Sequence, residues 1–204
     1  MTVRYKNLPR NAATDTRARL VQIGTEILSE KGFDSTGIEE VLQRADVPKG
    51  SFYYYFDSKA DFGFAVIDNY AHLWEQKLIR LLRDPNVRPL QRIWNYIAEG
   101  IHGLEKYAFR RGCLIGNMGQ ELGGLDDSFR QRIAAVFESW TRFLADCLAE
   151  AKEAGELGPD ADVRALAEFF WMAWEGAILQ AKLRRSVEPV QRLRDVLFSC
   201  VFVK

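Results

Sequence analysis

The chain has little of what covalent and metal chemistry usually requires. Its 204 residues include three cysteines, Cys113, Cys147 and Cys200, and two histidines, His72 and His102. The cysteines are odd in number, widely spaced and outside any CxxC or Cys/His cluster, which excludes a secreted disulfide framework and a zinc site. The histidines sit in different helical patterns. No Ser/His/Asp spacing, HExxH, GxSxG or phosphate-cradling glycine loop accompanies them, so the sequence reads as neither an enzyme nor a cofactor binder. No run of roughly 18 uncharged apolar residues occurs, and the stretch MTVRYKNLPRNAATDTRARL has no apolar segment of the kind that directs export. The expectation is a cytoplasmic protein with no membrane span. Strand-like alternation, internal repeats and low-complexity blocks are missing too.

Net charge is also absent: 28 basic residues balance 28 acidic ones, so there is no overall attraction to nucleic acid. The distribution is uneven, however. In the first twenty residues Arg4, Lys6, Arg10, Arg17 and Arg19 stand against Asp15 alone, which suits either a solvated tail or an arm that strengthens phosphate contact.

What is present is helical periodicity over a chain that is 48% apolar. From Asp15 to Lys31 the apolar residues Ala18, Leu20, Val21, Ile23, Ile27 and Leu28 keep helical spacing, and Gly32 follows where a left-handed cap is wanted. Thr36 stands three residues before Glu39, a capping-box spacing for a short helix carrying Ile38, Val41, Leu42 and Ala45. Asp46 and Val47 make a tight connection, Pro48 suits a new first turn, and Lys49 to Phe56 continues it. Two short helices joined by a tight turn spell helix-turn-helix. Ser58 and Asp61 then open a long helix from Lys59 to Leu82, and further helices are predicted from Leu90 to Leu104, Asp127 to Ala154, Ala161 to Arg185 and Pro189 to Phe202. The architecture is all-α with about nine helices. Residues 1–57 are expected to form a three-helix helix-turn-helix domain, and residues 58–204 a larger helical domain.

The segment GFDSTGIEEVLQRADVPKGSFYYYFDSKADF concentrates the functional signal. A helix entering the major groove needs a slim leading end, and Lys49, Gly50 and Ser51 offer one cation, no bulk and one hydroxyl. Phe52 and Phe56, at i and i+4, suit packing on the preceding helices, leaving Tyr53, Tyr54 and Tyr55 to aim hydroxyls or ring faces at DNA. In its order of parts the segment resembles the TetR family of transcriptional repressors. The resemblance implies DNA contacts from Lys49, Gly50, Ser51, Tyr53, Tyr54 and Lys59, with Thr36 capping the second helix against the backbone. It also implies a homodimer on a palindromic, double-stranded operator. Many relatives carry His where this chain has Tyr54. A non-catalytic helical interaction module is the alternative, and it would leave KGSFYYYF without purpose.

Residues 162 to 185 are apolar almost all round, and Ala173, Gly176, Ala177 and Ala181 form a small-residue stripe that permits close helix approach. Together with the last helix, this segment is assigned to a four-helix dimer interface or to the monomer core. Trp94, Tyr107, Phe109, Phe137, Trp140, Trp171 and Trp174 suit either a core or an apolar cavity, and Gln120 and Glu175 are polar residues embedded in apolar patterns. The stretch FRRGCLIGNMGQEL, and later WEGAILQAKLRRSVEP, resembles a TetR subgroup answering to reactive electrophiles or small unsaturated acids, including repressors that control N-ethylmaleimide reductase and acrylate metabolism. In some members the matching cysteine is a sensor. Cys113 is then either an electrophile sensor, with Arg110, Arg111 and a helix start favouring thiolate, or a small buried hydrophobe. Against an acid ligand, Arg110, Arg111 or Asn117 would supply the contacts.

Overall fold

A computed structural model describes residues 10–203, with side chains from residue 15 onward. The arm cations Arg4 and Lys6, and the side chain of Arg10, lie outside the described residues. Helices account for the regular structure, and no strand occurs among the described residues.

The first helix, α1 (Arg10–Lys31), buries Leu20, Val21, Ile27 and Leu28 and stops at Gly32, whose φ of 85° only glycine adopts readily. The Gly32 amide donates to Leu28 O at 3.0 Å, closing the last turn. Thr36 does not cap the next helix as its spacing predicts. That helix, α2 (Ile38–Arg44), has Gly37 at its N-cap, while Thr36 Oγ1 donates to Gly32 O at 2.6 Å and is buried at 2% exposure. The hydroxyl instead satisfies an open carbonyl at the end of α1.

The turn after α2 is as tight as expected. Asp46 takes a left-handed φ of 51°, and the Val47 amide donates to Leu42 O at 2.9 Å. One 3₁₀ turn (Lys49–Ser51) leads into α3 (Phe52–Tyr55). Next, α4 (Lys59–Leu82) opens on Ser58 Oγ accepting the Asp61 amide at 3.0 Å, the cap that the sequence specifies.

The larger part of the chain continues with α5 (Pro89–Lys106), α6 (Leu114–Leu122) and α7 (Asp127–Glu153), then α8 (Val163–Arg184) and α9 (Glu188–Val196). Asp126 and Asp162 cap α7 and α8 through paired backbone amides. The last expected helix is shorter than its pattern, because Leu197–Val201 widens into a π turn. One apolar core runs through the molecule. It passes from Phe52, Phe56 and Phe62 to Phe33 and Phe129, and on to Trp140, Trp171 and Trp174.

Candidate nucleic-acid interface and effector cavity

The tract after Pro48 divides sharply between core and solvent. Phe52 and Phe56 are buried, 5.3 Å apart ring to ring, and both meet Phe62 of α4. With that side fixed, Tyr53 and Tyr54 are turned out, at 72% and 57% exposure, and Gly50 has open space where a side chain would project. Lys49 is exposed and pairs with Glu39 at 3.0 Å, a weak surface bridge that a phosphate can replace. Ser51 and Tyr55 are half-buried. Lys59 stands over the Phe33 ring at 4.6 Å and reaches Asp34 O. Thus Lys49, Gly50, Tyr53 and Tyr54 are exposed, and Ser51 and Lys59 are half-buried. Thr36 is buried, with its hydroxyl turned inward.

Behind this head lies a cavity of about 370 Å³ among α1, α4, α5, α7, α8 and the entry to α6. Tyr70, Trp74, Trp140 and Trp174 give it aromatic walls, Leu73, Leu104 and Ile178 add apolar surface, and Cys113 sits at one end. Tyr70 stacks on Trp74 at 4.6 Å, and Trp74 Nε1 donates to Tyr96 Oη at 3.1 Å. The mouth is polar: Lys77 bridges Glu99 at 3.1 Å, which together with Arg80 holds that carboxyl below its usual range despite partial burial.

Of the residues proposed from sequence for sensing, Cys113, Arg111, Trp140 and Trp174 line this cavity. Trp171 is buried behind Trp140, and Glu175 stands behind Cys113. Arg110, Asn117 and Gln120 do not line it, and Arg110 and Gln120 are exposed. Trp94 packs instead on Phe198 and Arg194 of the C-terminal segment. Sequence reasoning missed Tyr70, Trp74, Lys77 and Glu99. The first two carry the apolar stripe of α4 and look like ordinary core residues.

The thiolate expectation for Cys113 fails in its cause. The residue is the N-cap of α6, as foreseen, and Sγ accepts the Gly116 amide at 3.4 Å. Yet it is buried at 8% exposure, and burial followed by the neighbouring Glu175 carboxyl pushes its thiol well above the ordinary range. The arginines do not offset this. Arg111 donates to Glu30 Oε1 at 2.8 Å, lies 3.5 Å from Glu26 and covers the Tyr107 ring at 4.2 Å, so its charge is engaged with α1. The same pairing leaves it poorly placed to receive an acid ligand.

Comparison with known proteins decides the family. Residues 20–66 match the family described as "Bacterial regulatory proteins, tetR family", and residues 89–197 match "Tetracyclin repressor-like, C-terminal domain". The transcriptional regulator AcuR of Cereibacter sphaeroides is 45% identical over 89% of this chain and 84% of its own. The chain belongs to the TetR family. It is a DNA-binding regulator of transcription. The HTH-type transcriptional repressor NemR of Escherichia coli is 30% identical over 87% of this chain and 89% of its own. A solved regulatory protein TetR from Rhodobacter sphaeroides superposes with a TM-score of 0.88 at 44% identity, covering 92% of this chain and 99% of that one.

Two further features matter for a regulator of this family. The outer face of α8 leaves Phe169, Met172, Leu179 and Leu183 exposed, and Val196 of α9 continues the patch. In the other direction, α6 is tied to the end of α1: Glu121 Oε2 accepts the Phe33 amide at 2.6 Å, and the Glu121 carboxyl lies where a side chain on Gly32 would project.

Proposed function

We propose that this TetR-family regulator is a homodimeric, cytoplasmic repressor that releases a palindromic operator when a small electrophile enters the cavity and modifies Cys113. Residues 1–57 act as the reading head, with Lys49, Gly50, Ser51, Tyr53, Tyr54 and Lys59 as its contacts. Residues 58–204 provide the sensor and the dimer surface. The exposed apolar face of α8 and α9 supports pairing through those helices, since a contiguous patch of this kind marks an interface. No helix among the described residues is long and apolar enough to cross a membrane, and the three cysteines are unpaired, as suits a reducing compartment.

The observation that carries the sensor reading is the position of Cys113, at the end of an aromatic cavity and at the start of the helix whose far end holds the reading head. Occupation there favours a conformer in which the two heads no longer fit successive grooves. Gel-shift measurements with operator DNA test this reading. Cys113→Ser should still retard the operator but no longer release it on exposure to an aldehyde, a quinone or N-ethylmaleimide. Release by the variant as readily as by the wild type refutes the sensor role.

A further inference from the structure

A buried thiol held well above its ordinary range is a poor nucleophile unless something takes its proton. The residues around Sγ supply such a group. Glu175, on α8, reaches over to α6 so closely that a methyl group on Gly116 would overlap its Oε2, and Gly116 is the residue whose amide also bonds Cys113 Sγ. Carboxyl and thiol therefore both lie against one glycine, close enough for each to act on the other's charge. Glu175 Oε1 is buried and has no hydrogen-bond partner. A buried carboxyl oxygen without a partner is costly, and structural roles normally satisfy it.

A second buried group points at an absent ligand. Tyr70 lines the cavity at 5% exposure, and its Oη makes no hydrogen bond, although the Leu114 amide in the first turn of α6 is close enough to act on it. An unpaired hydroxyl beside Cys113 suits an acceptor oxygen brought by an effector.

We propose that Glu175 is the base that removes the Cys113 proton as the thiol adds to an α,β-unsaturated carbonyl compound, with Tyr70 Oη donating to the carbonyl oxygen. This rests on the reading of Cys113 as the sensor and adds how a buried thiol can serve. The Sγ–Cβ bond of the effector forms while its C=C π pair moves toward the carbonyl oxygen, which Tyr70 holds as the enolate develops. The thiol proton passes to Glu175 and is returned to the effector α carbon. Thiol and alkene give a saturated thioether, with no oxidant or reductant consumed.

Burial, partly opposed by the neighbouring Cys113 thiol, raises Glu175 to about 7, so it changes from acid to base across neutral pH. The charged and titratable groups near this end of the cavity include His102 of α5, which shares its lining. Tyr70 of α4 and Tyr96 of α5 are held neutral by burial, Arg111 is paired with α1, and the Lys182 ammonium of α8 lies over Gly112.

The test measures N-ethylmaleimide addition to the full-length protein by intact and peptide mass spectrometry between pH 6 and 9. A Cys200→Ser background removes the exposed thiol. The rate at Cys113 should rise through about pH 7 and then level. Glu175→Gln should be slower at pH 7.5 by about 100-fold, within the usual range for a positioned base, and should lose the titration near neutrality. Tyr70→Phe should lower the rate and keep the titration. The sign is diagnostic: were Glu175 only a charge that suppresses the thiolate, removing it would speed the reaction. An equal or faster Glu175→Gln rate with an unchanged pH profile overturns the base role alone. Absence of any Cys113 adduct in the wild type overturns the sensor reading together with it. Should Glu175→Gln not fold, Glu175→Asp decides: a reduced rate with a displaced midpoint supports the role, and wild-type kinetics refute it.

Discussion

Glu121 offers the sharpest test of how the cavity reaches the reading head. Its carboxylate accepts the Phe33 amide at 2.6 Å from 88 residues away in sequence, at the corner where α1 ends and the helix-turn-helix begins. A hydrogen bond to a charged group contributes about 1.5–3 kcal/mol, and a half-buried amide left without it regains only part of that from water. Glu121→Ala should therefore cost about 2 kcal/mol, which lowers the melting temperature of a chain this size by about 4–8 °C. More importantly, it removes a strut between α6 and α1. If that strut carries the coupling, the effector-induced drop in operator affinity should shrink by about 30-fold, the equivalent of the same 2 kcal/mol. Fluorescence anisotropy with operator DNA, before and after N-ethylmaleimide treatment, reads the coupling, and circular dichroism reads the stability. Glu121→Gln, which keeps an acceptor oxygen without the charge, should fall between. A Glu121→Ala protein that melts and releases DNA like the wild type would refute the reasoning.

Lys49→Ala should weaken binding to all DNA sequences alike and lower the slope of log affinity against log salt by about one, as for loss of a single phosphate contact; an unchanged slope removes Lys49 from the interface. Met172→Glu puts a charge on the 68%-exposed centre of the apolar α8 face, and should yield monomers in analytical ultracentrifugation with operator affinity down by about 100-fold or more. Stability should also depend on pH through Glu175. Its folded value of about 7 lies above the ordinary 4.5, so the folded state holds the extra proton between those limits; stability present below pH 4.5 is lost as pH rises through about 7. The loss, on the order of 3 kcal/mol, should appear in urea unfolding at pH 5 and pH 8 and be absent from Glu175→Gln.

How much was legible in the sequence follows from how far apart the interacting residues lie. The helix-turn-helix is local: Gly32, Asp46, Pro48, Ser58 and the Phe52/Phe56 pair act on neighbours a few residues away, and the periodic pattern reports them directly. The cavity is not local. Its walls come from α1, α4, α5, α7 and α8, so Tyr70 and Trp74 carry no mark distinguishing a wall residue from a core residue. Cys113 shows the cost of reasoning from sequence neighbours. Arg110 and Arg111 adjoin it along the chain, but the charge that it feels is that of Glu175, delivered by the packing of α8 on α6, while Arg111 turns to Glu30. Thr36 errs on a smaller scale, because a capping box presumes that the hydroxyl faces forward, and here the unsatisfied carbonyl behind it wins.

In the proposed sensor, the two ends of α6 would link chemistry at Cys113 to the reading head. Nine residues at the helical rise span about 12 Å, with the Cys113–Glu175 pair at the leading end and Glu121 at the trailing one. Between them Leu114, Ile115 and Met118 are fully buried, so a displacement at the leading end of the helix is passed along a tightly packed body. Its movement is resisted at two points, Glu121 on the Phe33 amide and, just ahead of the helix, Arg111 on Glu30. Both anchors end on the last turn of α1 or the residue pair after it, which lies against the short helices of the reading head. An adduct therefore need not touch the DNA-facing residues. On the proposed reading it would have only to favour an arrangement in which these two struts are displaced together, with operator affinity following the population of that arrangement.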